Sequence, residues 1–176
     1  DETVWVLFNG EIYNFQELRS RLEKLGHQFR THSDTEVIAH AYEEYKENCF
    51  EYFNGMFAIG IWDEKEKRLI LARDRLGKKP LYYGFINGTF IFASELKGIM
   101  AYPFFPRNVD PVSFMKYLFF EFIPSPHTIF KDAKKLSAAS YLIWGRKGVE
   151  IKQYWSPFNH QKSEEKLSES EAELRM

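Results

Sequence analysis

One cysteine, Cys49, stands among 176 residues. A single thiol cannot build an intramolecular disulfide framework or a multi-thiolate metal centre, so a reducing compartment, the cytoplasm, is the expected location. Charge of either sign is not in excess: 24 Lys and Arg face 25 Asp and Glu, for a formal charge of -1. No broad field draws the chain to nucleic acid or to an anionic membrane, and neither is expected as a partner. No apolar run is long enough to span a bilayer, and the opening Asp1-Glu2 lacks the basic start and apolar stretch of a signal peptide. Gly-Gly pairs are absent, as is the Gly-x-x-x-x-Gly-Lys-Ser/Thr phosphate loop.

What is present is apolar and aromatic. The chain is 44% hydrophobic and 18% aromatic, enough for one well-packed domain plus a short piece of a second. Thr3 to Phe8 reads as a strand running into a turn at Asn9-Gly10. Because it begins almost at residue 1, its sheet is expected to lack preceding strands. Asn14 with Glu17 resembles a capping box, and Phe15, Leu18, Leu22 and Leu25 recur at helical spacing. Ser33 with Glu36 repeats the signature ahead of a second stripe, Val37, Ile38, Ala41, Tyr42 and Tyr45, whose opposite face, Glu36, His40, Glu43 and Glu47, is expected to be solvated. Apolar runs at 56–62, 69–72, 81–86 and 89–93 read as covered strands in a meander, with Asn87-Gly88 as a hairpin turn. Asp110-Pro111 marks a helix to about Phe120, and strands follow at 141–144 and 149–154. After Pro157 a Ser, Glu and Lys composition marks a linker, with a helix beginning at 168–176. The fold class is α+β.

Several residues could carry chemistry, and each has a plain structural reading. Asn9-Gly10-Glu11 is a common turn sequence, yet a side-chain amide beside a backbone N–H can also hold an oxyanion. Asp34 suits any first helical turn, and could equally fix the ammonium group of an amino-acid substrate. Cys49 lies on the stripe of Tyr42 and Tyr45, so a buried structural thiol is expected. The five histidines show no metal-ligand spacing, and Glu36 with His40 is read as a surface ion pair. Arg73-Asp74-Arg75-Leu76-Gly77-Lys78-Lys79-Pro80 is a loop between strands despite its basic look.

Phe8-Asn9-Gly10-Glu11-Ile12-Tyr13-Asn14, Ser33-Asp34-Thr35-Glu36-Val37, Asn54-Gly55-Met56-Phe57-Ala58 and Arg73-Asp74-Arg75-Leu76-Gly77 occur in that order. Ala93-Ser94-Glu95-Leu96-Lys97 and Pro124-Ser125-Pro126 follow. Together these blocks resemble the class II glutamine amidotransferases, most closely the asparagine synthetases. The resemblance implies an Ntn-hydrolase-like four-layer sandwich, two antiparallel sheets between helix layers, lacking its first strands. It implies that Asn9 and Gly10 form the oxyanion hole and that Glu11 and Asp34 hold the amino end of glutamine. Members of the family begin with a cysteine whose thiol attacks the glutamine amide and whose α-amino group is the base. Residue 1 here is Asp, so the 176 residues are expected to be inactive. Residues 1–157 would be an N-terminally incomplete glutaminase domain, and 158–176 a linker into a synthetase domain in cis. That absent domain would use ATP and Mg, with no cofactor in the present chain and a homodimer as the possible assembly. A catalytically silent scaffold or regulatory domain of a related synthetase is the alternative.

Overall fold

The structure, a computed structural model, describes residues 3–158. In chain order the elements are β1 Val4–Ile12, α1 Phe15–Lys24, α2 Asp34–Tyr45, a 3-10 turn Lys46–Asn48, α3 Cys49–Tyr52, β2 Gly55–Asp63 and β3 Arg68–Arg73. Then come β4 Tyr82–Ile86, β5 Thr89–Ala93, α4 Leu96–Met100, α5 Pro111–Phe120, β6 Lys134–Lys135, β7 Ser140–Gly145 and β8 Gly148–Gln153. Every strand pairing is antiparallel. One sheet has the order β1-β2-β3-β7-β8 and the other β5-β4-β6. The two antiparallel sheets implied by the resemblance are present, but the expected meander is broken between β3 and β4. After β3 the chain leaves the first sheet, builds the second, and returns at β7.

Side-chain alternation along β2 explains the layering, because successive residues point to opposite faces. Phe57, Ile59 and Ile61 meet Leu22, Ile38 and Tyr42 from α1 and α2 in one core. Ala58 faces the other way, into a core with Leu71, Leu81 and Leu142, where Phe92 and Tyr83 of the second sheet pack. Gly60 lies on that same side: a Cβ there would come within 3.0 Å of the Phe92 ring. Beyond the second sheet, Ile86 packs with Ile99 and Phe105 beside α4. The result is helix, sheet, sheet, helix.

Local signals account for most boundaries. Asn87 and Gly88 both have positive φ, 49° and 81°, the type I′ pattern that matches strand twist in a two-residue hairpin. Asp110 caps α5 by accepting the N–H groups of Val112 and Ser113. Ser33 caps α2, accepting from Glu36 N–H at 3.3 Å. Asn14 departs from expectation: it makes no capping bond to α1. Its amide donates to Tyr52 O at 3.0 Å, and its Oδ1 accepts from Asn54 N–H at 3.0 Å, tying the end of β1 to the start of β2. The linker and helix expected after residue 158 lie outside the described residues.

The helix layer is fastened by buried polar contacts. Tyr42 donates from its hydroxyl to Asp63 Oδ2 at 2.8 Å, and Arg68 Nη2 donates to the same hydroxyl at 2.9 Å. Burial pushes the Asp63 carboxyl up, but the Glu66 N–H, the Tyr42 hydroxyl and the nearby cations outweigh it and hold the group below its ordinary value.

The face of α2 expected to be solvated is not. It is half-buried: the side chains of Glu36, His40 and Glu47 are only 17%, 19% and 20% exposed, and that of Glu43 35%. Glu36 accepts N–H bonds from Arg30 at 2.7 Å and Thr31 at 2.6 Å, tying down the segment ahead of Asp34. Burial raises its carboxyl, yet these bonds and the Thr31 hydroxyl win and bring it from 4.5 to about 2. A depressed carboxyl stabilises the fold above its unfolded value and loses that contribution as the pH falls through the folded one. Stability is therefore expected to decline between pH 4.5 and about 2. Glu36→Gln should flatten that part of a denaturation-against-pH curve.

Candidate functional site at the end of strand β1

β1 is the edge of its sheet, so one row of its backbone groups has no strand partner among the described residues. Ile12 N–H leaves by that edge and donates to Asp34 Oδ2 at 3.1 Å. Tyr13 N–H points the other way, to Asn54 O at 2.7 Å. Backbone N–H groups alternate sides along a strand, so Gly10 N–H emerges on the open edge beside Ile12 N–H, roughly 7 Å away. The first residue of α2 is thereby fixed against the strand end that carries Gly10, although 22 residues separate Asp34 from Ile12.

Asn9 points to the face that meets the second sheet. Its Nδ2 donates to Ser94 Oγ at 3.1 Å, which anchors the amide and leaves its second N–H for another acceptor. Asn9 and Ser94 line a groove between the sheets together with Ala58, Gly60 and Phe92. Gly10, Glu11 and Asp34 do not line that groove. Glu11 is exposed on the same strand face as Asn9.

The strand end is built by close backbone approach. A Cβ on Gly10 would sit 2.0 Å from Met56 O, and one on Gly55 would sit 2.2 Å from Glu11 O. Both contacts are with backbone that cannot rotate away. Gly10→Ala is expected to cost about 1–3 kcal/mol or more through this overlap, read as a lowered midpoint in thermal or urea denaturation.

Below it, Asp74 is 1% exposed and accepts four backbone N–H groups. Its charged neighbours are also in structural use. Arg73 donates to Lys79 O, Leu136 O and Gly77 O at 2.7–2.8 Å, and Arg75 donates to Glu51 O at 2.9 Å. The basic loop is thus a folded, carboxylate-centred turn. Cys49 is fully buried among Phe50, Phe53 and Tyr42, and burial first, then the Glu47 charge, pushes its thiol well up. It cannot serve as an accessible thiolate.

Residues 1–155 match the glutamine amidotransferase domain family. The chain belongs to that family. The amidotransferase chain is 40% identical over 156 residues to asparagine synthetase (glutamine-hydrolyzing) 3 of Bacillus subtilis (strain 168), covering 88% of this chain and 25% of that protein. It is 44% identical over 143 residues to asparagine synthetase (glutamine-hydrolyzing) 1 of the same organism, covering 80% of this chain and 22% of the relative. The amidotransferase chain spans about a quarter of the length of these relatives. Among solved structures, glutamine phosphoribosylpyrophosphate amidotransferase from B. subtilis superposes with a TM-score of 0.59 at 22% identity, over 86% of this chain and 29% of that one. At that identity the likeness concerns the fold, which is of the Ntn amidotransferase type with its two antiparallel sheets.

Two positions that support the strand end had no role in the sequence reading. Ser94 and Asp74 both fell inside matched blocks, Ala93-Ser94-Glu95 and Arg73-Asp74-Arg75. A lone carboxylate between two arginines in a Gly-containing loop was the available signal for Asp74.

Proposed function

We propose that this chain is the glutaminase portion of an asparagine synthetase, releasing ammonia from glutamine for ATP-dependent amidation of aspartate. The observation that carries the reading is the Asp34 to Ile12 bond, which sets a carboxylate beside the open edge of the strand bearing Asn9 and Gly10. In this reading Gly10 N–H and the anchored Asn9 amide stabilise the oxyanion formed when a thiol attacks the glutamine amide. Asp34 and Glu11 hold the substrate ammonium through charge-assisted contacts. Ser94 is a positioning residue for the Asn9 amide.

The synthetase portion would follow in cis and supply the ATP and magnesium chemistry. An apolar face on α5 supports a covering domain: Phe114, Leu118 and Phe119 are 46%, 59% and 81% exposed. Because the only thiol among the 176 residues is fully buried, a polypeptide of these residues alone is proposed to be inactive. The second reading is a catalytically silent scaffold of a related synthetase. Ammonia release from glutamine separates them, measured on the full gene product that carries these residues. Glutaminase activity that falls on Asn9→Ala supports the enzyme; a folded product with none supports the scaffold.

A further inference from the structure

His27 sits in the segment between α1 and α2, while His40 and Glu43 lie one turn apart on α2. We propose that these three residues bind a divalent transition-metal cation of the zinc class, in a site separate from the strand end described above. His27 Nδ1 and His40 Nδ1 are 3.1 Å apart, His40 Nδ1 and Glu43 Oε2 3.2 Å, and His27 Nδ1 and Glu43 Oε2 3.9 Å. Zinc takes imidazole nitrogens and carboxylate oxygens at about 2.0–2.2 Å. The point equidistant from these three atoms lies about 2.0 Å from each, within that bonding range. All three side chains are half-buried.

The surroundings have the second feature of a metal site. Ligating imidazoles present their other ring nitrogen to a carboxylate, which fixes the ring and raises its basicity. His27 Nε2 is within hydrogen-bond distance of Glu44 Oε2, 3.2 Å, and His40 Nε2 faces Glu36 Oε1 at an ion-pair distance of 3.7 Å. Both rings therefore turn Nδ1 inward and Nε2 to an outer carboxylate. The Phe29 ring packs on His40 with centroids 4.4 Å apart, limiting its rotation. A surface groove lined by Arg30, Glu36, His40 and Glu43 opens onto two of the three ligands.

A histidine pair thirteen residues apart in sequence has no ligand signature, so spacing alone missed it. The ion-pair reading of Glu36 with His40 describes only the outer part of the cluster. A bound cation would clamp the segment before Asp34 onto α2 itself. His40, the ligand nearer Asp34 on α2, lies roughly 9 Å along the helix from it, so the cation would not touch the strand end.

The test is titration of the full chain with ZnCl2 by calorimetry and with CoCl2 by visible absorption, alongside Tm with and without Zn2+. One equivalent should bind, Co2+ should show the intense bands of a low-coordinate nitrogen and oxygen site, and Tm should rise. His40→Ala should abolish all three effects. Glu44→Gln should weaken binding by about 10–100-fold through the loss of its contact to His27. Should His40→Ala fail to fold, His27→Gln and Glu44→Gln carry the test. No Co2+ spectrum and no Tm change in the parent chain would overturn the proposal, as would one-equivalent binding undiminished in folded His27→Gln.

Discussion

Asp74→Ala is expected to leave the domain unfolded or barely folded, with a loss of about 4 kcal/mol or more. The reason lies in four donors. Asp74 Oδ1 accepts Leu76 N–H at 3.1 Å and Lys78 N–H at 2.9 Å, while Oδ2 accepts Phe57 N–H at 3.2 Å and Lys79 N–H at 2.9 Å. A donor left unpaired costs about 1–3 kcal/mol when buried, as Phe57 N–H is, and less at the part-buried Leu76, Lys78 and Lys79, against a whole-domain stability of only about 5–15 kcal/mol. Alanine offers none of the four an acceptor. Asparagine keeps one oxygen of the two, so Asp74→Asn should fall between wild type and Asp74→Ala in urea denaturation. Loss of the carboxylate also frees Phe57, the residue paired with Gly10 across β1 and β2, so the damage should reach the strand end. A midpoint for Asp74→Ala within experimental error of wild type would remove Asp74 as the organiser of this loop.

Asp34→Ala should have the larger effect on substrate handling. Its carboxylate accepts the Ile12 N–H and, in the proposed function, holds the glutamine ammonium. Hydrogen bonds to charged groups contribute about 1.5–3 kcal/mol, so removal should raise KM for glutamine by about 10- to 150-fold. Asp34→Asn separates the two roles. It keeps an oxygen for Ile12 N–H but loses the charge, so the fold should hold while KM still rises. If Asp34→Asn leaves KM unchanged, the residue is a strand anchor and not a substrate ligand.

How far the residues alone reveal this arrangement depends on the range of the contact that decides each feature. Strand interiors were legible because Phe57 to Ile61 and Leu69 to Ala72 are apolar on both faces, and the Asn87-Gly88 turn needs two residues that tolerate positive φ. The Ser33 and Asp110 caps are local too. Asn14 looked like a third cap, but its amide is taken by Tyr52 and Asn54, about forty positions on, a competition that no window around Asn14 contains. The two sheets were implied by the family resemblance, but the strand pattern alone could not divide them, for a related reason: β3 pairs with β7, nearly seventy residues later, instead of with β4. At the strand end, Asn9, Gly10, Glu11 and Asp34 were identified as candidates, but that Gly10 N–H has no strand partner among the described residues follows only from the pairing of β1 with β2. The Asn9 amide could not be linked to Ser94, 85 residues away, without the packing of the second sheet on the first.

The most direct test of the proposed oxyanion and ammonium roles is glutamine-dependent ammonia release by the full gene product, compared in wild type, Asn9→Ala and Asp34→Ala, with asparagine formation from added ammonia, the activity the proposed function requires, as the internal control. Asn9→Ala should lower kcat by about 100- to 1000-fold, the loss typical of one oxyanion donor, and Asp34→Ala should act mainly on KM. Both should leave ammonia-supported synthesis intact. Glutamine hydrolysis that survives both substitutions at the wild-type rate, or ammonia release from glutamine by the 176-residue polypeptide alone, would contradict the placement of the reaction at the end of β1.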